Sequence, residues 1–262
     1  ATGKGTGAGG TIETSAHTLA MGAATISAGL GGSWLLDPDD LTIDNAAAST
    51  VNAALNSGTN VTEQTSATTG SGSGDILRNA ALSWNSTASL ILSAYHSITL
   101  NADITVSGAG TLTLTTNNSI TTIGAKNGTV NFGGSTIQFT SSALTAANTA
   151  SNSPLTIDGH GYTLITTANE LQNAVGTSGY YALAKPLDMS SISNFTPLAR
   201  DGFTGTFNGL GNTISNLTIN DSADLRVGLF SYLETSGVIS HVGLIGGTIT
   251  DNFSAPYGSV GE

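Results

Sequence analysis

The chain has 262 residues, and six Lys and Arg against 17 Asp and Glu give a formal charge of −11. So few cations leave little to neutralise phosphates, which argues against nucleic acid as a partner. With no Cys there is no disulfide framework, thiol nucleophile or Cys-ligated zinc, and a chain rich in Gly, Thr, Ser and Asn is not a bundle of long helices.

No apolar run approaches the roughly 18 residues of a membrane-spanning helix. The opening residues Ala1 to Gly5 carry neither the basic nor the apolar part of a signal peptide. Both ends read as cut from a longer polypeptide, with any export signal upstream. Residues 1–45 are expected to form leading strands.

The first candidate site in chain order is Asp37-Pro38-Asp39-Asp40, the densest acidic cluster. Clustered carboxylates suit a hard cation such as Ca²⁺. They also suit a turn, with Asp37 initiating it and Pro38 fixing φ. The turn is the reading adopted, and no metal ligand, catalytic residue or cofactor is assigned.

Residues 46–80 read as an insertion. Asn45 to Gly58 has the composition of a short helix stopped by Gly, and Thr65 to Gly74 is a Ser/Thr/Gly loop. Residues 81–166 carry the most regular pattern. Ile98–Leu100, Ile104–Val106, Leu112–Leu114, Ile120–Ile123, Val130–Phe132 and Ile137–Phe139 alternate apolar with polar side chains. Such alternation buries one face of a strand and wets the other. The Gly- and Asn-rich corners between them supply backbone with φ > 0.

Residues 167–202 read as a second helix-and-loop insertion. Thr167 is the expected N-cap of a helix to Gly176, with Glu170 closing a capping box. Residues 203–250 resume the strands. There Ile214-Ser215-Asn216-Leu217-Thr218-Ile219 recurs as Ile239-Ser240-His241-Val242-Gly243-Leu244. The second copy follows the first by roughly 25 residues, within the range of solenoid periods. Side chains recurring at such a period stack in a solenoid, and a sandwich gives no reason for the register. The expected fold is therefore all-β: a parallel β-helix over 1–262 with short helical or loop insertions.

Several stretches resemble the filamentous-haemagglutinin-like exoproteins of two-partner secretion, which are large bacterial surface adhesins. They are Gly32 to Ile43 with its Trp34-Leu35-Leu36-Asp37-Pro38, Leu100-Asn101-Ala102-Asp103-Ile104, Thr163 to Leu171 with Tyr181-Ala182-Leu183, and Phe203 to Ile214. Gly228-Leu229-Phe230 through Val242-Gly243-Leu244 is similar to the GLUG repeat. The resemblance implies a right-handed coil and a place on the bacterial cell surface or in the medium. It implies an outer-membrane transporter as partner during export, flanking coils of the same polypeptide, and a receptor or glycan on a host or neighbouring cell.

The remaining chemistry is sparse. Ile157-Asp158-Gly159-His160-Gly161 contains the Gly-His-Gly found beside catalytic aspartates in pectin-degrading β-helix enzymes, without their accompanying elements, and reads as a corner between strands. His17, His96, His160 and His241 have no metal-binding spacing. Trp34, Trp84, Tyr180 and Tyr181 can stack on sugars but are expected as core or corner plugs, and Phe203, Phe207 and Phe230 as an interior stack. Eight Asn-x-Ser/Thr sequons, among them Asn60, Asn85, Asn194 and Asn216, are candidates for modification.

The expected function is a non-catalytic structural and adhesive segment. The segments Thr65–Gly74 and Tyr180–Asp201 are its expected contact surfaces. A self-assembling extracellular fibre is the second reading. A polysaccharide-active enzyme using Asp158 or Asp188 is the third.

Overall fold

A computed structural model describes residues 8–66, 72–118, 127–145, 152–222 and 226–252. Among the described residues the fold is all-β, with two short α-helices. In chain order it runs β1 (Thr11–Ser15), β2 (Ser33–Asp37), β3 (Leu41–Ile43), α1 (Asn45–Asn56), β4 (Asn60–Gln64), β5 (Ile76–Arg78), β6 (Leu82–Trp84) and β7 (Ser89–Ser93). Then come β8 (Ile98–Leu100), β9 (Ile104–Val106), β10 (Thr111–Thr115), β11 (Val130–Phe132), β12 (Ile137–Phe139), β13 (Leu155–Ile157), β14 (His160–Gly161) and β15 (Thr163–Ile165). The chain continues with α2 (Ala168–Ala174), β16 (Tyr180–Leu183), β17 (Leu187–Asp188), β18 (Thr206–Asn208), β19 (Thr213–Ser215), β20 (Thr218–Asp221), β21 (Val238–Ser240), β22 (Gly243–Ile245) and β23 (Thr248–Asp251). It divides into two compact units, Ala1–Leu164 and Ile165–Glu262.

In the first unit three sheets form: β1-β2-β4-β7-β10-β13-β14, β11-β8-β5-β3, and β12-β9-β6. From β4 to β13 the chain visits these sheets in strict rotation, and strands from successive circuits pair in parallel. The strand alternation dictates what stacks. Val61, Leu90, Leu112 and Leu155 form one column of paired residues, and each is 0% exposed. Burial of each such side chain contributes about 1.5–3 kcal/mol. Ile76 and Ile98 pair in the second sheet, and Leu82, Ile104 and Ile137 in the third. Outward positions hold polar rows: Thr111 Oγ1 donates to Ser89 Oγ at 2.8 Å, and Asn101 Nδ2 to Asn79 Oδ1 at 2.8 Å.

The second unit has sheets β15-β16-β18-β21, β17-β19-β22 and β20-β23. Its core gathers Leu183, Met189, Phe195, Phe203, Phe207, Ile214 and Ile219. The expected phenylalanine stack is present, with Phe230 centred 4.7 Å from Phe203 and 5.3 Å from Phe207.

Both helices follow their sequence signals. Asp44 caps α1 by accepting from the Ala46 and Ala47 amides, and Gly58 leaves it at φ 85°. Thr167 and Glu170 form the reciprocal capping box of α2. The expected strand Ile120–Ile123 lies outside the described residues.

Three expectations change. First, Ile214 pairs with Leu244 and Thr218 with Thr248, a longer step than the one from Ile214 to Ile239, while Ile239 itself pairs with Phe207. The likeness of 214–219 to 239–244 is not a stacking register. Asn216 and His241 are both left-handed corner residues, at φ 56° and 50°, but they turn different corners of the circuit. The recurring letters record a local turn type. Second, the segments expected as insertions carry regular strands. β4 and β5 fall within 46–80, and Tyr180–Leu183 and Leu187–Asp188 within 167–202. Short strands flanked by Gly and Ser hide inside loop-like composition. Third, Asp158 and Gly159 make a tight reversal at φ 47° and 80°, so Ile157 pairs antiparallel with His160. That corner is a hairpin.

Candidate functional site

The strongest concentration of polar chemistry lies where β2 gives way to β3. Pro38 follows the last residue of β2, and Asp39 and Asp40 lie in the turn before Leu41 opens β3. The segment Gly72 to Asp75 comes back over this turn because Asp40 holds it. Asp40 Oδ1 accepts from the Gly74 amide at 2.7 Å and the Asp75 amide at 3.0 Å. Its Oδ2 accepts from the Ser73 amide at 3.3 Å. A carboxylate that accepts several amides at once orders a turn as a charged cap does.

The other carboxylates face different partners. Asp37 accepts from Gln64 Nε2 and Ser66 Oγ at 3.3 and 3.1 Å. Asp39 is only 6% exposed, and its carboxylate meets Nδ1 of His17. Asp75 Oδ1 meets His96 Nδ1 at 2.8 Å and the Ser97 amide at 2.9 Å, and its Oδ2 accepts from Ser73 Oγ at 2.6 Å. Partial burial pushes the Asp75 carboxyl up, but the hydrogen bonds from Ser73, His96 and Ser97 outweigh it and hold the group below the ordinary 3.8. A concavity of about 370 Å³ opens beside the turn, lined by His17, Thr18, Leu19, Asp39, Asp40, Thr42 and Gly72.

The three carboxylates of Asp37, Asp39 and Asp40 do not share a centre. Among the described residues no group of three or more His, Asp or Glu side chains is placed to hold a metal ion. Asp75, His96 and Ser97 are the residue types of a hydrolytic triad, but Asp75 and Ser97 both meet Nδ1 of His96, the latter at 3.2 Å. A triad needs the carboxylate on one ring nitrogen and the serine on the other. The acidic corner is a hydrogen-bonded brace beside a polar concavity.

The Gly159-His160-Gly161 hairpin lies far from it. β2 and β13 are separated by β4, β7 and β10 in one sheet. Four strand spacings put them about 19 Å apart. Paired carboxylates in glycoside hydrolysis stand roughly 5–9.5 Å apart. Asp158 accepts from the Thr116 amide and hydroxyl at 2.8 and 3.1 Å, tying the hairpin to the end of β10. Asp188 accepts from Asn216 Nδ2 and the Ser190 amide, both at 3.0 Å, and these bonds lower its pKa.

The aromatic side chains divide. Trp34 and Trp84 are each 1% exposed, with their indole N–H groups on Thr14 Oγ1 and the Ala88 carbonyl. Tyr180 and Tyr181 are half-buried on β16. Among the sequons, Asn60, Asn194 and Asn216 donate their amides to Gly31, Asn220 and Asp188, whereas Asn85 is exposed at a corner. Residues 67–71 of the contact segment Thr65–Gly74 lie outside the described residues. At its described ends, Thr65 is buried and donates to the Gly74 carbonyl at 2.7 Å.

Sequence reasoning missed the Asp40 brace and the two His–Asp pairs. The residues that Asp40 holds are far from it along the chain, so no local spacing points to them. It also missed Glu63 and Arg78, an ion pair with both side chains 0% exposed. A signal for that pair existed: Glu63 alternates with Val61, and Arg78 with Ile76, on the inward face.

One curated relative has partial similarity. Halomucin of Haloquadratum walsbyi (strain DSM 16790 / HBSQ001) is 37% identical over 83 residues, a match covering 27% of this chain and 1% of that protein. No family model and no solved structure matches the chain.

Proposed function

We propose that this chain is a right-handed parallel β-helical segment of a large secreted or surface-displayed protein, with a structural and adhesive role and no catalysis. One observation carries the reading: the rotation of the chain through three parallel sheets, with aliphatic columns inside and rows of Thr, Ser and Asn outside. Parallel crossovers within a sheet are right-handed in nearly all proteins. Each circuit covers the previous one, so a long stalk grows without exposing new sheet edges along its sides. Stacked like charges repel across a parallel ladder, and 9% charged residues accords with that.

The outward rows supply the adhesive surface. Regularly spaced hydroxyls and amides on a rigid scaffold match the donors and acceptors of a glycan, and corners carry the variable contacts. The concavity at His17, Asp39 and Asp40 offers a carboxylate and an imidazole to sugar hydroxyls. The resemblance to filamentous-haemagglutinin-like exoproteins supports surface display, and partial likeness to a protein named as a mucin is in keeping with it.

The test has two parts. An antibody to this chain is used to blot cell, surface and medium fractions, and beads coated with the chain are scored for attachment to cells and immobilised glycans. A surface or medium species far above 26.1 kDa, with bead attachment that soluble chain competes away, is expected. A species confined to the cell interior, or coated beads that attach no better than bare ones, overturns the proposal.

A further inference from the structure

The concavity beside the acidic corner is walled by three neighbouring passes of the chain. His17, Thr18 and Leu19 follow β1, Asp39, Asp40 and Thr42 lead into and through β3, and Gly72 precedes β5. Its wall therefore does not depend on which strand stands last. It holds two carboxylates and no Lys or Arg among the described residues. The side chain of Asp39 is 9% exposed, and its Oδ2 is buried with no hydrogen-bond donor. The His17 ring meets that oxygen without the alignment of a hydrogen bond, and the ring is 67% exposed. A buried carboxylate oxygen without a donor is costly. Asp40 Oδ2 lies in the same wall and accepts the Ser73 amide at 3.3 Å, which leaves it room for a second donor. A Cβ on Gly72 would lie 2.8 Å from Asp40 Oδ2 and 3.1 Å from Asp39 Cβ. Glycine thus keeps open the space that both carboxylates border.

We propose that this concavity binds the protonated amino group of an amino sugar. The proposal rests on the glycan-binding reading above and names the sugar that the site takes. The balance of donors and charge favours an ammonium group. It brings three N–H donors and one positive charge to Asp39 Oδ2 and Asp40 Oδ2, with the hydroxyls of Thr18 and Thr42 in the same wall. A hard metal ion takes about six to eight oxygens, and among the described residues no third His, Asp or Glu joins the set. A neutral sugar brings hydroxyl donors but leaves both carboxylates without a counter-charge, and an acidic sugar is repelled by them. Hydrogen bonds between two charged groups are the stronger kind, so the amine sets the specificity. The volume of about 370 Å³ is at the small end of ligand sites, the size for a single sugar ring, and Leu19 gives that ring an apolar wall. The amine takes the place of His17 at Asp39, and the exposed imidazole turns to a neighbouring sugar hydroxyl.

Titration of the full chain with glucosamine tests this at about pH 7, where an amine is largely protonated, with the His17 ring signal followed by NMR. Glucosamine is expected to move that signal and to bind at least about tenfold more tightly than N-acetylglucosamine or glucose, with affinity falling as salt rises. Asp39→Asn keeps the shape, removes the charge and weakens glucosamine by at least about tenfold. Asp158→Asn, at the β13–β14 hairpin, leaves binding unchanged. Circular dichroism checks that each variant is folded, and the ligand series on the unmodified chain stands even where a variant is not. Equal binding of N-acetylglucosamine, an equal loss with Asp158→Asn, or no binding of glucosamine up to about 30 mM overturns the proposal. Lysine amide acetylated at its α-nitrogen carries the same charge on an aliphatic chain, and binding as tight as that of glucosamine would overturn the sugar assignment. The bead assay separates this proposal from the reading it rests on. Beads that attach to amine-free glycans while glucosamine fails to bind remove this site alone, and beads that attach to no glycan remove the adhesive reading.

Discussion

Nη1 of Arg78 donates to both carboxylate oxygens of Glu63, at 2.5 and 2.6 Å, with neither side chain exposed to solvent. The pair sits among aliphatic side chains. Glu63 has Leu36 and Leu92 as its ladder neighbours, and Arg78 has Ile43 and Leu100. Nε and Nη2 of Arg78 have no hydrogen-bond acceptor, so desolvation of the guanidinium is only partly offset. The pair joins successive strands β4 and β5, and either ion left alone among aliphatic neighbours is costly.

Removing one partner therefore differs from removing both. Arg78→Met alone should lower unfolding free energy by about 3–5 kcal/mol, because it strands a buried carboxylate. Glu63→Leu combined with Arg78→Met should recover most of that loss, or exceed the original stability. Denaturant unfolding of the two variants checks this. A double variant as unstable as the single would show that the pair contributes net stability.

Trp84 makes a second close fit. Its indole N–H donates to the Ala88 carbonyl at 2.9 Å, and a Cβ on Gly110 would lie 2.3 Å from that nitrogen and 2.4 Å from that oxygen. Gly110→Ala should cost about 1–3 kcal/mol through overpacking, with a changed tryptophan emission. Unaltered stability would mean that the corner shifts freely.

The capping box of α2 carries unequal weights. Thr167 Oγ1 accepts one amide, from Glu170, at 3.1 Å. Glu170 Oε2 accepts the Thr166 amide, the Thr166 hydroxyl and the Thr167 amide, at 2.7, 2.7 and 3.2 Å. Thr167→Ala should cost about 1 kcal/mol. Glu170→Ala should cost more, because it removes three charge-assisted bonds. Equal losses in thermal unfolding would contradict that ranking.

Asp75 sets an acid-sensitive contact. Its folded pKa lies below the ordinary 3.8. The stabilisation is thus present above that value and lost as pH falls through the depressed folded one. The stability gap between the unmodified chain and Asp75→Asn should be widest near neutral pH and should narrow below about pH 3.8. A gap constant with pH would show that Asp75 serves only as a neutral acceptor.

Much of the fold was legible in the sequence. Ile98–Leu100, Ile104–Val106, Val130–Phe132 and Ile137–Phe139 form strands because alternation is a local property of the chain, felt before any tertiary contact. The Gly58 stop of α1 and the Thr167–Glu170 capping box of α2 are local for the same reason. The two-residue strand Leu187–Asp188 was not legible, since so short a pair carries no period.

Composition and alternation thus determined an all-β chain of low charge whose apolar side chains face one way. Tertiary structure decided the pairings. It set Leu244, and not Ile239, over Ile214. It brought Asp40 to the Gly72–Asp75 segment and Glu63 to Arg78. The physical reason is range. Strand and cap preferences act between near neighbours in the chain, while ladder register depends on partners as distant as Leu112 and Leu155, whose contacts exist only once the circuits stack.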